Sequence, residues 1–205
     1  MIHPDTELCW INAAIGHGVR ATRRIPRGTL TWVRCALDHA LTADEVDALG
    51  PGYRPIVERY AYVDHLGRRI LCWDAGRHIN HHCDANSRAL GLEAQIAIRD
   101  IEAGEELTCD YGECNLEEPL ACQCTAPRCR GTIVATDLQA FADRWDAEIR
   151  AAVAAAAQLP QPLLKFTSDP VQVEAILRGT IPVPSIRCVA APASPSDRRA
   201  TKPGA

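Results

Sequence analysis

Lysine is nearly missing from this chain: of its 22 basic residues only Lys165 and Lys202 are lysines, and the rest are arginines. Arginine and alanine in such excess are the mark of a GC-rich coding sequence, as many bacteria have. Long apolar runs are missing too, although 47% of the residues are hydrophobic. A bilayer-spanning helix needs about 20 in succession, so no membrane role is expected. The opening stretch MIHPDTELCW lacks the basic-then-apolar order of a secretion signal. The expected location is therefore the cytoplasm, or the nucleus where the source or host is eukaryotic. There is no basic excess either: a formal charge of −4 argues against non-specific nucleic-acid binding as the main activity. No internal repeat is present. Cysteine, by contrast, is abundant, at ten residues. In a reducing compartment a cysteine cluster reads as metal-binding or catalytic before it reads as disulfide.

At 205 residues the chain can form one domain with a sizeable core, plus appendages. Short runs of β-branched and aromatic residues, LCWI (8–11), GVRATR (18–23) and TLTWVRCAL (29–37), read as strands, with Pro26 and Gly28 marking a turn before the third. Thr42 and Glu45 form a capping box that opens a short helix, which Gly50-Pro51 closes. RYAYVDHLGRRILCWD reads as a hairpin around Leu66-Gly67, and LEAQIAIRDI as a further strand. Many short strands with few helices predict a mainly β fold of small sheets. Beyond Glu113 the character changes. Leu138, Phe141, Ala142, Trp145, Ile149 and Val153 recur at helical spacing. A second helix takes Asp169 as N-cap, Pro170 at its first position and Gly179 at its stop. From Pro182 on, Pro, Ala, Ser and Arg predict a disordered tail.

Three stretches carry candidate chemistry. CQCTAPRC supplies Cys122, Cys124 and Cys129, three soft ligands of the kind zinc takes in tetrahedral sites of four. The fourth is Cys83 or Cys114; spacing does not choose. GHGVRATRRIPRG offers a glycine-flanked backbone at Gly16 and Gly18, which suits either close approach of a ligand or an ordinary hairpin entry. It is no dinucleotide fingerprint, because no helix follows. NHHCDAN crowds Asn80, His81, His82 and Cys83 together, yet adjacent side chains diverge and no two histidines share a helical face, which argues against a histidine-based catalytic metal. GEELTCDYG sets Tyr111 beside a glycine at a strand end.

Taken in order, GHGVRAT…IPRGT, GRHINHHCDAN, IEAGEELTCDYG and CQCTAPRCRG resemble the SET-domain protein-lysine N-methyltransferases with a post-SET zinc segment, over roughly residues 5–132. The resemblance implies a β-clip of small curved sheets in which the NHHC loop and the CDYG strand form a pseudoknot, with C-terminal α-helices added. It implies a SET domain over 1–113 and a zinc-binding segment over 114–135, to which the helical spacing and the composition read above add a helical extension over 136–181 and a tail over 182–205. It implies S-adenosylmethionine as cofactor, along Gly16, His17, Gly18, Asn80 and His81, with Tyr111 beside the reactive methyl. Structural Zn²⁺ then falls to Cys83, Cys122, Cys124 and Cys129. The implied partner is a protein bearing a target lysine, a histone or another basic protein. Tyr60 and Tyr62 are candidates for the wall of the lysine channel.

The chain departs from the family pattern at Arg77-His78-Ile79, at His82 and at Ala85. It departs further at Cys109, where the family often has Phe or Tyr and where a smaller, nearly apolar side chain predicts di- or trimethylation of the lysine. The competing expectation is a catalytically weak, zinc-organised interaction module that recruits a partner through its C-terminal helices.

Overall fold

The structure is a computed structural model that describes residues 1–192; residues 193–205 lie outside it. β1 (Thr6–Asn12) and β2 (Gly16–Ala21) pair antiparallel, with Leu8 opposite Val19 and Trp10 opposite His17. Gly16 makes the bend between them at a φ of +88°, which only glycine adopts without strain. β3 (Leu30–Val33) is buried at all four positions, as its β-branched and aromatic content suits. β4 (His39–Leu41) leads into α1 (Ala43–Ala48), where the Thr42 side chain accepts the Glu45 N–H and the Glu45 side chain accepts the Thr42 N–H, the expected reciprocal cap.

α2 (Arg54–Tyr60) is a finding the sequence pattern did not suggest. Its last residues read as strand, yet Pro55 starts the helix and Val57 buries inward, so the helix runs on to Tyr60. β5 (Ala61–Val63) and β6 (Arg69–Leu71) then form the expected hairpin, and β4 adds to the other edge of β6.

Four short strands frame the candidate site: β7 (Asn80–His81), β8 (Ser87–Leu90), β9 (Ala94–Ala97) and β10 (Thr108–Cys109). β9 lies between β3 and β8. β10 runs parallel to β7, Thr108 opposite Asn80 and Cys109 opposite His81. That is the pairing a pseudoknot between the NHHC and CDYG segments requires. A final antiparallel pair, β11 (Leu120–Ala121) and β12 (Thr132–Ile133), brackets the cysteine-rich loop. The fold is mainly β, made of small sheets.

α3 (Asp137–Ala156) and α4 (Pro170–Leu177) complete the regular elements. The Asp169 side chain caps α4 by accepting the Gln172 N–H. The helical stripe Leu138, Ala142, Trp145, Ile149 and Val153 is buried against Leu30, Leu90 and Ile96 of the central sheet. This packing spends the apolar face that a partner-recruiting helix would need. A second core of Val19, Ile25, Trp32, Ile79, Ile101 and Leu107 lies beneath the candidate site.

Within the expected tail, the described residues 182–192 are packed on the domain. Ile186–Val189 form a 3-10 turn against α3 with Ile186 buried, and the Ile186 N–H donates to Asp146 Oδ1 at 2.6 Å. Asn115 grips the segment beyond: its Nδ2 donates to the Val189 carbonyl at 2.8 Å, and its Oδ1 accepts the Ala191 N–H at 2.8 Å. Apolar side chains spaced among the prolines, with two polar side chains to satisfy the backbone, order what composition alone leaves loose. The remainder of the expected tail, 193–205, falls outside the described residues.

Candidate functional site

At the start of β2, half-buried Gly16, exposed His17 and buried Gly18 run beside Asn80 of β7. Asn80 Nδ2 donates to the His17 carbonyl at 3.1 Å and to Glu106 Oε1 at 2.7 Å. A Cβ on Gly18 would overlap Glu106 Oε1 and come within 2.8 Å of Asn80 Nδ2 and 2.9 Å of Ile11 Cδ1. No Cβ fits there because the Asn80 amide, the Glu106 carboxylate and Ile11 already fill the space, and the three close on the glycine backbone as a small cradle. Around its outer side the rings of Trp10, His17, His78 and Tyr60 succeed one another in edge contact, at 5.2, 5.9 and 5.1 Å. Burial, and then the neighbouring Arg77, hold the His78 imidazole below its ordinary pKa, which favours a neutral ring.

Tyr111 stands where this cradle meets a cavity of about 380 Å³. Its hydroxyl donates to the Ile79 carbonyl at 3.0 Å, and its ring lies 5.5 Å from that of His81. Burial, the main cause, pushes the Tyr111 hydroxyl far above the ordinary phenol range. It is thus a phenol at any working pH, a donor and orienting dipole rather than a base. Tyr60, Tyr62, Cys109 and Tyr111 all line the cavity, with Cys72 and Cys114 nearby in the same wall. Trp32 holds Tyr62 edge-on at 6.1 Å. The cradle residues Gly16, His17, Gly18, Asn80 and His81 lie outside the lining; the two are joined by Tyr111 against His81, by Tyr60 against His78 and by Arg59 beside Gly16.

The thiols gather on the other side of the NHHC loop. Sγ of Cys83 and Cys122 are 3.8 Å apart, and one ligand atom from each of His81, Cys83, Cys122 and Cys124 lies within 4.8 Å of the others. Cys129 reaches the thiols of both Cys122 and Cys124. Backbone N–H groups point at the sulfurs: Arg130 to Cys83 at 3.3 Å, Cys83 to Cys124 at 3.5 Å, Cys124 to Cys122 at 3.5 Å and Gly131 to Cys129 at 3.4 Å. Burial raises the Cys124 thiol, but the N–H groups of Cys83 and Ala126 outweigh it and bring the pKa down to about 6. A set of N–H donors aimed at sulfur stabilises thiolates, the form that binds metal.

His81 belongs to this cluster as a donor. Its Nδ1 accepts the Tyr111 N–H at 3.1 Å, so the ring proton sits on Nε2, 3.4 Å from Cys83 Sγ. To ligate through Nε2 it would have to shed that proton while its other nitrogen is already engaged. Cys114 is not part of the cluster; its thiol contacts Cys109 in the cavity wall.

Behind the site lies a buried ionic layer. Asp110 accepts two bonds from Arg130, at 2.8 and 2.6 Å, and Arg130 in turn reaches Asp137 at the start of α3. Arg88, 1% exposed, pairs with Glu113 at 3.1 Å and Glu148 at 3.0 Å, its guanidinium 4.8 Å from the Trp145 ring. Burial lifts the Glu113 carboxyl to about 7 despite Arg88. The cysteine loop, the Tyr111 strand and α3 are thereby tied together.

The family model described as "SET domain" matches residues 16–112. That interval holds the cradle, the NHHC loop and Tyr111. Residues 16–112 are a SET domain. Among curated proteins the chain is 40% identical over 68 residues to the histone-lysine N-methyltransferase ATX2 of Arabidopsis thaliana, covering 30% of this chain and 6% of that protein. It is 31% identical over 140 residues to human histone-lysine N-methyltransferase EHMT1, covering 57% of this chain and 10% of that one. The chain thus spans a tenth or less of the length of these relatives. Among solved structures, the methyltransferase domain of human SETMAR aligns with a TM-score of 0.48 at 20% identity, over 65% of this chain and 58% of that one.

The SET domain brings Gly16, His17, Gly18, Asn80 and His81 to one cradle and Tyr60, Tyr62, Cys109 and Tyr111 to one cavity, while Cys122, Cys124 and Cys129 come from beyond its end. Three contributors escaped sequence reasoning. Glu106 reaches Asn80 only through the pairing of distant strands. The Ile79 carbonyl is backbone and carries no side-chain signal. Arg130 had one available cue, its place directly after the last clustered cysteine.

Proposed function

We propose that this chain transfers methyl groups from S-adenosylmethionine to the side-chain amine of lysine in a protein substrate, and that a structural Zn²⁺ on Cys83, Cys122, Cys124 and Cys129 holds the segment after the SET domain in place. The observation that carries this reading is the position of Tyr111, one side on the Asn80–His81 loop and the other on a tyrosine-lined cavity. The likeness to ATX2 and EHMT1, both histone-lysine N-methyltransferases, supports a histone or another basic protein as the substrate.

The residues present fit both groups. A cofactor with an amino-acid end carries an ammonium and a carboxylate; Glu106 Oε1, held by Asn80, suits the first, and the backbone at half-buried Gly16 and exposed His17 suits the second. The thiols of Cys83, Cys122 and Cys124 lie within 4.8 Å of one another and Cys129 reaches the last two; with a backbone N–H aimed at each, these four suit a closed zinc site. When bound, S-adenosylmethionine supplies a methyl already made electrophilic by a sulfonium sulfur.

This chain's own residues then need supply neither nucleophile nor catalytic metal. Their task is to line a neutral amine up with that methyl, which is catalysis by positioning. Free lysine has a pKa of about 10.4. Tyr60, Tyr62, Cys72 and Cys109 line an aromatic and thiol-rich passage in which a lone ammonium is poorly solvated, so the acceptor amine loses its proton to water before transfer. Tyr111 donates its own proton to the Ile79 carbonyl, so its oxygen can still accept weak C–H···O contacts that would orient a methyl group. Residues 114–133 have few buried apolar side chains, with Ile133 fully covered; metal binding would supply the order that a core does not.

The test is direct. Purified chain, methyl-tritiated cofactor and core histones are incubated together, and the protein is hydrolysed. Radioactivity in methylated lysine is expected; radioactivity confined to other amino acids, or none with cofactor bound, contradicts the proposal.

A further inference from the structure

The cavity that Tyr60, Tyr62, Cys109 and Tyr111 line has a second, more apolar part. Leu92 in the β8–β9 turn, Leu116, Leu120 in β11 and Val189 also line it. Cys109, deep in the wall, is 5% exposed, whereas Leu92 is 39% and Leu120 41% exposed, so these leucines stand at the open side. Large apolar side chains left bare in a concave wall, rather than scattered singly over the surface, mark a place where an apolar group settles.

This part of the wall is built in advance. Asn115, also in the lining, directs both amide hydrogens to carbonyls, that of Val63 at 3.0 Å and that of Val189 at 2.8 Å, and accepts the Ala191 N–H at 2.8 Å. Val63 follows Tyr62 in β5, so the clamp fixes Val189 beside the wall of the passage. Further back, Ile186 is buried with its N–H on Asp146, and Arg187 pairs with Asp143 at 3.0 Å. Pro184 stands against the turn that carries Leu92: a Cβ on Gly91 would lie 3.5 Å from Pro184 Cγ. Residues 184–191 thereby draw Leu92, Leu116 and Val189, which come from three distant stretches of the chain, into one shelf.

We infer that this shelf is a specificity subsite, which takes an apolar side chain two residues away from the target lysine in the substrate chain; the inference rests on the methyl-transfer reading above. The shelf and the tyrosine-lined passage belong to one continuous cavity, so a chain that delivers its lysine to Tyr111 passes over the shelf. In an extended chain successive side chains point to opposite sides, and residues two apart share a side at a spacing of about 6.8 Å. The immediate neighbours of the lysine therefore point away from the wall, and a side chain two positions along is brought to it. A leucine-sized group there covers Leu92, Leu116 and Val189 and takes their apolar surface out of water. A carboxylate or guanidinium in the same place would lose water and find no partner among these three side chains. The shelf thus selects both by what it buries and by what it leaves unsatisfied.

Peptides made from the histone segment that the labelling assay identifies test the inference, varied in turn at the second residue before and the second residue after the lysine. Leucine in at least one of these positions is expected to give a kcat/KM about tenfold above serine, aspartate or arginine, chiefly through KM. Leu92→Ser and Val189→Ser are each expected to bring that ratio close to one while S-adenosylmethionine affinity is kept, a change in selectivity that a merely structural role would not produce. Equal rates for all peptides, or a preference for a charged residue, overturn the inference, and labelled histones then leave the methyl-transfer reading standing. A shelf closed by a second copy of the chain overturns it as well: the sign is a dimer in solution that Leu92→Ser separates, with the peptide ratio unchanged. Histones left unlabelled in the presence of cofactor defeat that reading and this inference together.

Discussion

His81 accepts the backbone N–H of Tyr111 on Nδ1 at 3.1 Å and turns Nε2 to the Cys83 thiol at 3.4 Å. One neutral imidazole therefore joins the tyrosine at the cavity to the cysteine cluster. Burial keeps it neutral by pushing its pKa down to about 4. The crowding of an amide, two histidines and a thiol into one loop has its physical reason in this link. The loop is a spacer between a ligand cradle and a thiol cluster, and its side chains divide between them.

The cradle makes the first prediction. Gly18→Ala drives a methyl into Glu106 Oε1 and to within 2.8 Å of Asn80 Nδ2. Both side chains must move, and the cofactor's amino-acid end loses its partners. Calorimetric titration is expected to give at least about tenfold weaker binding of S-adenosylmethionine, equivalent to about 1.4 kcal/mol, with the circular dichroism spectrum unchanged. Unaltered affinity contradicts the assignment of Gly16–Gly18 and Asn80 to the cofactor.

Zinc removal makes the second. Cys124 has N–H donors from Cys83 and Ala126 and sits within reach of three other thiols. Cys124→Ser is expected to lower bound zinc from one per chain to near none and to abolish methyl transfer, while the α3 packing around Trp145 survives. A chain free of metal with full activity rules the site out.

Product distribution makes the third. Cys109, 5% exposed, lies in the cavity wall, with the Cys114 thiol against it and the second core behind it. The small side chain leaves room for an amine that already bears methyl groups. Mass spectra of a methylated substrate peptide are expected to contain di- and trimethyl species, and Cys109→Tyr to shift the product to monomethyl. A wild-type product that stops at one methyl contradicts this.

Acidity makes the fourth. The Glu113 carboxyl titrates near 7 in the folded chain against 4.5 as its ordinary value, because burial outweighs Arg88. Between these values the native state binds a proton that the unfolded state does not, so its contribution to stability is complete below about 4.5 and is lost as pH rises through about 7. Urea midpoints across that window should fall with rising pH more steeply in the wild type than in Glu113→Gln. Equal slopes would remove Glu113 from the account.

Much of this was legible because it is local. Thr42 with Glu45, Asp169 with Pro170 and the stripe from Leu138 to Val153 announce their helices within a few residues. The SET motifs were legible for another reason: their order along the chain is specific even where each alone is weak. What stayed hidden depends on partners far apart in sequence. Glu106 meets Asn80 only because β10 lies parallel to β7. Residues 186–191 look loose in composition, and they are ordered by Asn115, held at a φ of +52°, and by Asp146. Tyr60 ends a helix rather than opening a strand because Pro55, which starts that helix, outweighs the aromatic and β-branched residues around it.

The role of Tyr111 is the centre of the account, and single-turnover methyl transfer with Tyr111→Phe tests it most directly. Removing one oxygen leaves the ring on His81 but frees the amine and the methyl from their shared guide. The expected result is a loss of about 100-fold in the transfer rate with cofactor affinity and thermal stability kept. A Phe variant that transfers methyl groups at the wild-type rate would contradict it.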